Sequence, residues 1–229
     1  MELKAQDETK GGNNVFVIIP AFNETTHIRK IIEKAKEHSN NIIVVDDGSR
    51  DETYRIAKDS GVTVLRHIIN LGKGAALKTG CDYAYMRGAG IFVVMDADGQ
   101  HEPEEIPNFV KSVKENDVIF GYRVQKQKMP FERRLANTAI DIAIRSLFNI
   151  NVKDTQSGFR AFTRDAYKKL RWESSDYCVE TEMIANTGKH KLKYGQIPIS
   201  TIYVDKYKGA GVSDAFKITI NLLKWRLVK

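Results

Sequence analysis

Cysteine is scarce in this chain: Cys81 and Cys178 are the only two in 229 residues, and they form no CxxC pair. A disulfide framework and a thiolate zinc site are thereby excluded, and a reducing compartment is expected. The sequence also lacks a secretory leader pattern and any run approaching the roughly 18 apolar residues that a membrane span needs. A cytoplasmic location follows as the expectation. Neither an internal repeat nor a linker interrupts the chain, so one domain is expected over residues 15–229. Its basic residues are dispersed and come with no recognised reader motif, which argues against nucleic acid as the partner.

The rest of the composition is that of an ordinary globular domain, 42% hydrophobic and 28% charged, long enough to bury a proper core. A formal charge of +7 implies an anionic partner such as a nucleotide or a membrane surface. Residues 1–14 are polar and glycine-bearing and read as a flexible leader.

The stretch Val93-Val94-Met95-Asp96-Ala97-Asp98-Gly99-Gln100-His101 organises the sequence. An apolar run from Ile91 to Met95 ends in two carboxylates one residue apart, which reads as a buried strand with Asp96 and Asp98 at its mouth. In extended backbone residues i and i+2 point the same way, so both carboxylates face one ion, and Gln100 continues the spacing with a neutral oxygen. Oxygen donors suit Mg²⁺ or Mn²⁺ rather than zinc. The alternative is an acidic turn that caps the next helix. An EF-hand is excluded, because Pro107 would fall where the loop needs its closing glutamate.

Around this stretch, strands and helices alternate. Val15–Ile19, Ile42–Val45, Val62–Leu65, Ile91–Met95 and Val118–Phe120 read as strands, the fifth ending at Gly121. Between them, helices are expected from Asn23-Glu24-Thr25-Thr26 onward, over about 51–60, after Gly72-Lys73-Gly74, and over Ile106–Lys114. Such alternation predicts an α/β fold: a Rossmann-like, mostly parallel sheet with helices on both faces. Ligands bind such sheets beyond the carboxyl ends of the strands. Three of those ends carry Pro20-Ala21-Phe22-Asn23-Glu24, Asp46-Asp47-Gly48-Ser49 and the Asp96–Gln100 stretch, so the three clusters converge on one rim. Farther on, Arg133–Phe148 and Val179–Thr187 read as helices, Leu192–Tyr203 as strand structure broken by Pro198, and about 212–227 as a closing amphipathic helix.

Two nucleotide motifs fail. Gly72-Lys73-Gly74-Ala75-Ala76-Leu77 lacks the third glycine of a dinucleotide fingerprint, and Leu77 stands where a P-loop needs glycine before Lys78-Thr79. The small residues either let a ligand approach with Lys73 near phosphate, or simply pack a helix start. Asp46, Asp47 and Glu24 likewise read either as helix caps or as acceptors for a nucleoside.

Taken together, Val17-Ile18-Ile19-Pro20-Ala21-Phe22-Asn23-Glu24, Val44-Val45-Asp46-Asp47-Gly48-Ser49, Met95 to Pro103, Gly121-Tyr122-Arg123, Pro130 to Arg134 and Asp154-Thr155-Gln156-Ser157-Gly158-Phe159-Arg160-Ala161-Phe162 resemble family-two glycosyltransferases. Within that family the resemblance is to dolichyl-phosphate mannose synthases and related polyprenyl-phosphate hexosyltransferases, over roughly residues 15–205. It implies a GT-A fold and inverting transfer of a hexose from a nucleotide sugar, GDP-mannose before UDP-glucose, to dolichyl or polyprenyl phosphate, with Mg²⁺ or Mn²⁺ as cofactor. Peripheral contact with the cytoplasmic membrane face is implied as well. A soluble acceptor or a non-catalytic nucleotide-binding module is the alternative.

Motif by motif, the resemblance implies that Pro20, Phe22, Glu24 and Asp46 surround the nucleoside, with Lys73 beside the phosphates. Asp96, Asp98 and Gln100 would hold the metal against the diphosphate. Arg123, Arg133 and Ser157 would meet the acceptor phosphate, with Arg134 as the neighbour of Arg133 and Arg160 as a further contact. Asp98, Arg123 and Arg133 form the catalytic set. Glu180 and Glu182 face either the donor sugar or solvent, His101 is a turn-packing residue, and Tyr203, Lys206 and Lys208 would cover the diphosphate. One departure stands out: relatives often carry a basic residue after a glycine-serine segment, whereas Gly211-Val212-Ser213 is followed by Asp214. The 212–227 helix either lies on a membrane or packs on the domain.

Overall fold

The computed structural model describes residues 14–124, 131–200, 221–222 and 225–226, with the side chains of 131–137 and 139 also outside the description. Seven strands, β1 (Val15–Ala21), β2 (Asn41–Asp46), β3 (Thr63–Arg66), β4 (Ile91–Val94), β5 (Val118–Arg123), β6 (Arg160–Thr163) and β7 (Tyr194–Ile199), form one sheet in the order β3-β2-β1-β4-β6-β5-β7. All neighbours run parallel except β6, which is antiparallel to both β4 and β5. The helices are α1 (Ile28–Lys36), α2 (Thr53–Asp59), α3 (Lys73–Met86), α4 (Ile106–Val113), α5 (Phe131–Phe148), α6 (Arg164–Leu170) and α7 (Val179–Lys189).

The strands are apolar on both sides because both faces are covered. In β1, Val17 and Ile19 join the core under α1 and α4, whereas Ile18 joins the core under α3, α5, α6 and α7. All three are fully buried, and each contributes about 1.5–3 kcal/mol relative to exposure. Helix α3 lies close against this strand because Gly80 has no side chain; a Cβ there would come within 2.5 Å of Ile18 Cγ2.

Several elements depart from expectation for local reasons. Helix α1 opens at Ile28 rather than at the Asn23–Thr26 cluster, since Thr53 Oγ1 and Asp51 Oδ2 accept the Glu24 and Thr25 N–H groups and hold that segment as a turn. Strand β5 continues past Gly121 to Arg123 because β7 pairs with it as far as Arg123 opposite Ile199. Pro198 does not break β7, which is an edge strand where a missing N–H costs no ladder bond. Helix α6, capped by Thr163 Oγ1 accepting from Ala166 N–H, was not anticipated. Of the closing segment, residues 221–222 and 225–226 are helical; Leu222 is buried and Trp225 packs on the same core, so the helix rests on the domain there. The leader and Tyr203, Lys206 and Lys208 lie outside the described residues. No helix among the described residues is long and apolar enough to cross a membrane.

Candidate functional site

A cavity of about 700 Å³ opens beyond the carboxyl ends of β1, β2, β4 and β5. It gathers Pro20, Phe22, Glu24, Lys73, Asp96 and Asp98 from the first half of the chain. Gln100, His101, Arg123, Ser157 and Glu180 complete the expected set that reaches it. Asp46, Arg160 and Glu182 are set back from its lining, and the side chains of Arg133 and Arg134, in the first turn of α5, lie outside the described residues.

The wall at β1 and β2 is two loops tied together. Asn23, in a left-handed conformation at φ +55 that asparagine tolerates, accepts from Arg50 N–H through Oδ1, and its own N–H donates to Ser49 Oγ at 2.9 Å. The two aspartates at the end of β2 point to opposite faces, as adjacent strand residues must. Asp46 turns to the α1 side, fully buried, and pairs with Arg66 Nε at 3.0 Å instead of facing the cavity. Asp47 turns to the α3 side and reaches the cavity edge. Its Oδ1 meets His67 Nδ1 at 2.7 Å and accepts from Leu71 N–H, while Oδ2 accepts from Gly72 N–H at 2.8 Å. Asp47 therefore fixes the loop that leads into α3, and α2 opens after Glu52 without a side-chain cap, Asp51 accepting from Thr53 N–H in the turn before it.

At the start of α3 the two readings of Gly72-Lys73-Gly74 divide. The glycines serve packing: a Cβ on either would collide with the backbone of Ser174 or Ser175, and Trp172 Nε1 donates to the Gly74 carbonyl at 2.8 Å. Lys73 serves the cavity. Its Nζ lies 2.5 Å from Asp96 Oδ1 and 2.6 Å from Glu180 Oε1. Burial alone would lower this ammonium's pKa, but the two carboxylates outweigh it and hold Lys73 above its usual range.

The two aspartates after β4 share this space. Burial pushes Asp96 up, but Lys73 overcomes it and holds the carboxyl below its usual range. Burial and the adjacent charge of Asp96 together push Asp98 up. Asp98 is braced by Gln100, whose backbone N–H and Nε2 donate to its two oxygens at 3.0 and 2.8 Å. Gln100 thus turns an N–H toward Asp98 where a ligand oxygen was expected. His101 packs its ring on Phe159 and accepts the Asp96 N–H at Nδ1, and burial lowers its pKa. That agrees with a turn-packing role.

These residues fit a divalent cation. Two carboxylates face one cavity at i and i+2, one destabilised by the other, and a lysine ammonium lies where positive charge is required. Among the described residues no group of three acidic, histidine or cysteine donors gathers. An ion held by Asp96 and Asp98 would therefore take the rest of its oxygens from substrate phosphate and water, the usual pattern for Mg²⁺.

The opposite wall carries a fixed arginine. Arg123, at the end of β5, donates through Nε and Nη2 to the two oxygens of buried Asp154 at 2.7 and 2.9 Å. Ser157 is buried on the cavity wall, and its Oγ has no hydrogen-bond partner among the described residues. Arg160 does not meet the cavity. Its guanidinium donates to the carbonyls of Ser157, Glu180 and Thr155, joining the loop to α7, and burial pushes its pKa down to about 10. Neither glutamate of α7 is solvated: Glu180 faces Lys73, and Glu182 accepts from the N–H groups of Glu173 and Ser174.

Sequence reasoning passed over Asn23, Asn70, Gln156, Asp176 and Tyr177, which also line the cavity. Asn23 and Gln156 sit inside motifs already singled out, whereas Asp176 and Tyr177 arrive through the long-range packing of 172–176 on α3 and had no local signal.

Fold and site together define a glycosyltransferase of GT-A architecture. Residues 16–171 match the model of Glycosyl transferase family 2, and the chain belongs to that family. It is 34% identical, over 94% of its length and 97% of the relative's, to a UDP-N-acetylglucosamine–dolichyl-phosphate N-acetylglucosaminyltransferase of Methanococcus voltae. It is 29% identical to the undecaprenyl-phosphate mannosyltransferase of Micrococcus luteus, over 93% and 94% of the two chains. In fold it is similar to the Mycobacterium tuberculosis glucosyl-3-phosphoglycerate synthase crystallised with Mn²⁺, UDP and phosphoglyceric acid, with a TM-score of 0.72, 19% identity, and coverage of 95% of this chain and 80% of that one.

Proposed function

We propose that this enzyme transfers a hexose from a nucleotide sugar to a polyprenyl or dolichyl phosphate, with inversion at the anomeric carbon. The observation that carries the reading is the pairing across one cavity of a carboxylate and lysine cluster, suited to a metal-bound diphosphate, with an opposite wall that carries the Arg123 guanidinium and the Ser157 hydroxyl. The Methanococcus voltae and Micrococcus luteus relatives are named for dolichyl phosphate and undecaprenyl phosphate, which supports the acceptor class. They differ in the sugar their names give, so GDP-mannose is one donor among three to compare, with UDP-glucose and UDP-N-acetylglucosamine.

In this reading Pro20, Phe22 and Glu24 receive the nucleoside, with Asn23 and Asp47 holding the loops around it. Asp96 and Asp98 would hold Mg²⁺ or Mn²⁺, with Gln100 bracing Asp98. When bound, the ion supplies Lewis-acid stabilisation of the departing nucleoside diphosphate. Lys73 is released from Asp96 to meet the same diphosphate and remains paired with Glu180. Arg123, preset by Asp154, grips the acceptor phosphate with Ser157, and Arg133 is assigned to the same group. The acceptor arrives ionised, so its oxygen attacks the anomeric carbon without a general base. One glycosyl–oxygen bond forms as the bond to the diphosphate breaks, and positioning and electrostatics supply the catalysis.

The test is mass-spectrometric detection of glycosyl prenyl phosphate, using the three donors with Mg²⁺ or Mn²⁺ and a chelator control. A metal-dependent product from one donor is the expected result. Transfer to phosphoglycerate in place of prenyl phosphate would overturn the acceptor, and sugar transfer unaffected by the chelator would overturn the metal.

A further inference from the structure

Among the described residues eight large apolar side chains are exposed. Six of them, Phe22, Ile68, Ile69, Leu71, Val124 and Tyr177, follow the carboxyl ends of strands or line the cavity lip. Met86 closes α3 at the far end of the sheet, and Ile142 lies within α5. The concentration is greatest in the loop after β3, where Ile68 is 100% and Ile69 65% exposed.

That loop is held open by its own backbone. At one end the His67 ring lies between Asp47 and Thr79 Oγ1, and at the other Leu71 and Gly72 donate their N–H groups to Asp47. In the middle, the Ile69 and Asn70 backbone presses on Gly48 so closely that a Cβ there would lie 2.5 Å from the Ile69 carbonyl carbon. With main chain facing inward on three sides, the two isoleucines project into solvent. Exposed Arg50 follows the Gly48-Ser49 turn against which the loop packs, and half-exposed Arg66 precedes the loop, its charge already shared with buried Asp46 and its Nη2 donating to the Ser49 carbonyl. The carboxylates nearest to Arg50 in sequence are engaged: Asp51 accepts from Thr25 and Thr53, and Glu52 pairs with Arg55.

We infer that this rim docks on an anionic lipid bilayer, with Ile68 and Ile69 as the residues that enter it. A narrow aliphatic tip near the exposed Arg50 guanidinium suits acyl chains and anionic headgroups. Two adjacent side chains form that tip, whereas a stable protein interface draws on about 20–30 residues a side. Docking here sets the mouth of the cavity at the headgroup plane, where a phosphate on a membrane-held chain resides; for that purpose, though not for its evidence, the inference rests on the proposed acceptor.

The experiment is flotation with vesicles of phosphatidylcholine and phosphatidylglycerol that contain no prenyl phosphate. The protein should float with them, and Ile68→Ser/Ile69→Ser should weaken binding about tenfold or more. The same variant should keep its thermal midpoint and its transfer to a short, water-soluble prenyl phosphate, while transfer to a long-chain acceptor in vesicles falls with binding. A wild-type protein that stays in the soluble fraction, or a variant that floats equally well, would overturn the inference. If vesicle binding depends on the two isoleucines but no prenyl phosphate is glycosylated, the docking stands and the acceptor reading fails.

Discussion

The ends of β2 and β4 each carry two aspartates, and the fold treats them in opposite ways. Asp46 and Asp47 are adjacent and diverge: one pairs with Arg66, the other binds the loop into α3 through His67, Leu71 and Gly72. Asp47 is hydrogen-bonded through both oxygens, whereas Asp46 has the Arg66 charge but no hydrogen bond to either buried oxygen among the described residues. Asp96 and Asp98 are one residue apart and converge on the cavity, where a single lysine and one glutamine attend them and burial with the Asp96 charge raises the pKa of Asp98. A carboxylate pair that diverges into the protein builds structure; a pair that converges on a cavity waits for a ligand.

The sharpest way to break this contrast is at Asp98. Asp98→Ala should lower transfer roughly 100- to 1,000-fold, as loss of a group that stabilises transition-state charge does, while circular dichroism shows a folded protein. Full activity with the metal requirement intact would contradict the assignment.

Asp47→Ala should do the reverse, costing about 2–4 kcal/mol of stability in urea unfolding through three lost hydrogen bonds to a buried carboxylate. Its activity below the unfolding range should fall by about tenfold at most, through a loosened Lys73. A loss of activity equal to that of Asp98→Ala would erase the distinction between the two strand ends.

A subtler effect has the opposite sign. A carboxyl whose pKa rises on folding holds its proton more tightly in the native state, so its ionisation withdraws stability as pH climbs past the unfolded value near 3.8. Asp98→Asn should therefore raise the thermal midpoint at pH 7 while removing activity, and Mn²⁺ should raise the midpoint of the wild type alone. Asp96 behaves conversely: its lowered pKa contributes stability above the unfolded value, lost as pH falls through the folded one. An unchanged or lower midpoint for Asp98→Asn would mean that the two Gln100 bonds outweigh the repulsion.

The smallest expected change comes from Gly158→Ala, whose Cβ would sit 2.6 Å from Asp96 Oδ2. Displacing that oxygen should raise the Mn²⁺ concentration needed for half-maximal rate by about tenfold, with little change in saturated rate.

Much of this site was legible because strand ends announce themselves: an apolar run that stops at a carboxylate fixes both the strand and the rim. Asp96, Asp98 and Glu24 reached the cavity on that logic, and Lys73 reached it from the glycine-flanked start of α3. Which of Asp46 and Asp47 would do so was not legible, since it depends on which face of the sheet α3 covers. Arg160 and Glu182 were misjudged for a different reason. Their partners are backbone groups at Thr155, Ser157, Glu173, Ser174 and Glu180, and a sequence gives no sign of which carbonyls and N–H groups a fold leaves to side chains. The glycines at 72 and 74 suggested a ligand but accommodate a loop a hundred residues away.

The reversed strand β6 has a consequence for how such an enzyme diversifies. A strand that runs against its neighbours starts at the rim where they finish, so β6 delivers the segment before it, Asp154–Phe159, to the mouth of the cavity. The wall assigned to the acceptor thus comes from two directions, Ser157 ahead of the start of β6 and Arg123 at the end of β5, while the wall assigned to the donor draws on the ends of β1 and β4 and the start of α3. Because Gly158 lies against Asp96 while Asp154 holds Arg123, an exchange of the 154–158 segment reaches both walls at once, a coupling written into strand direction.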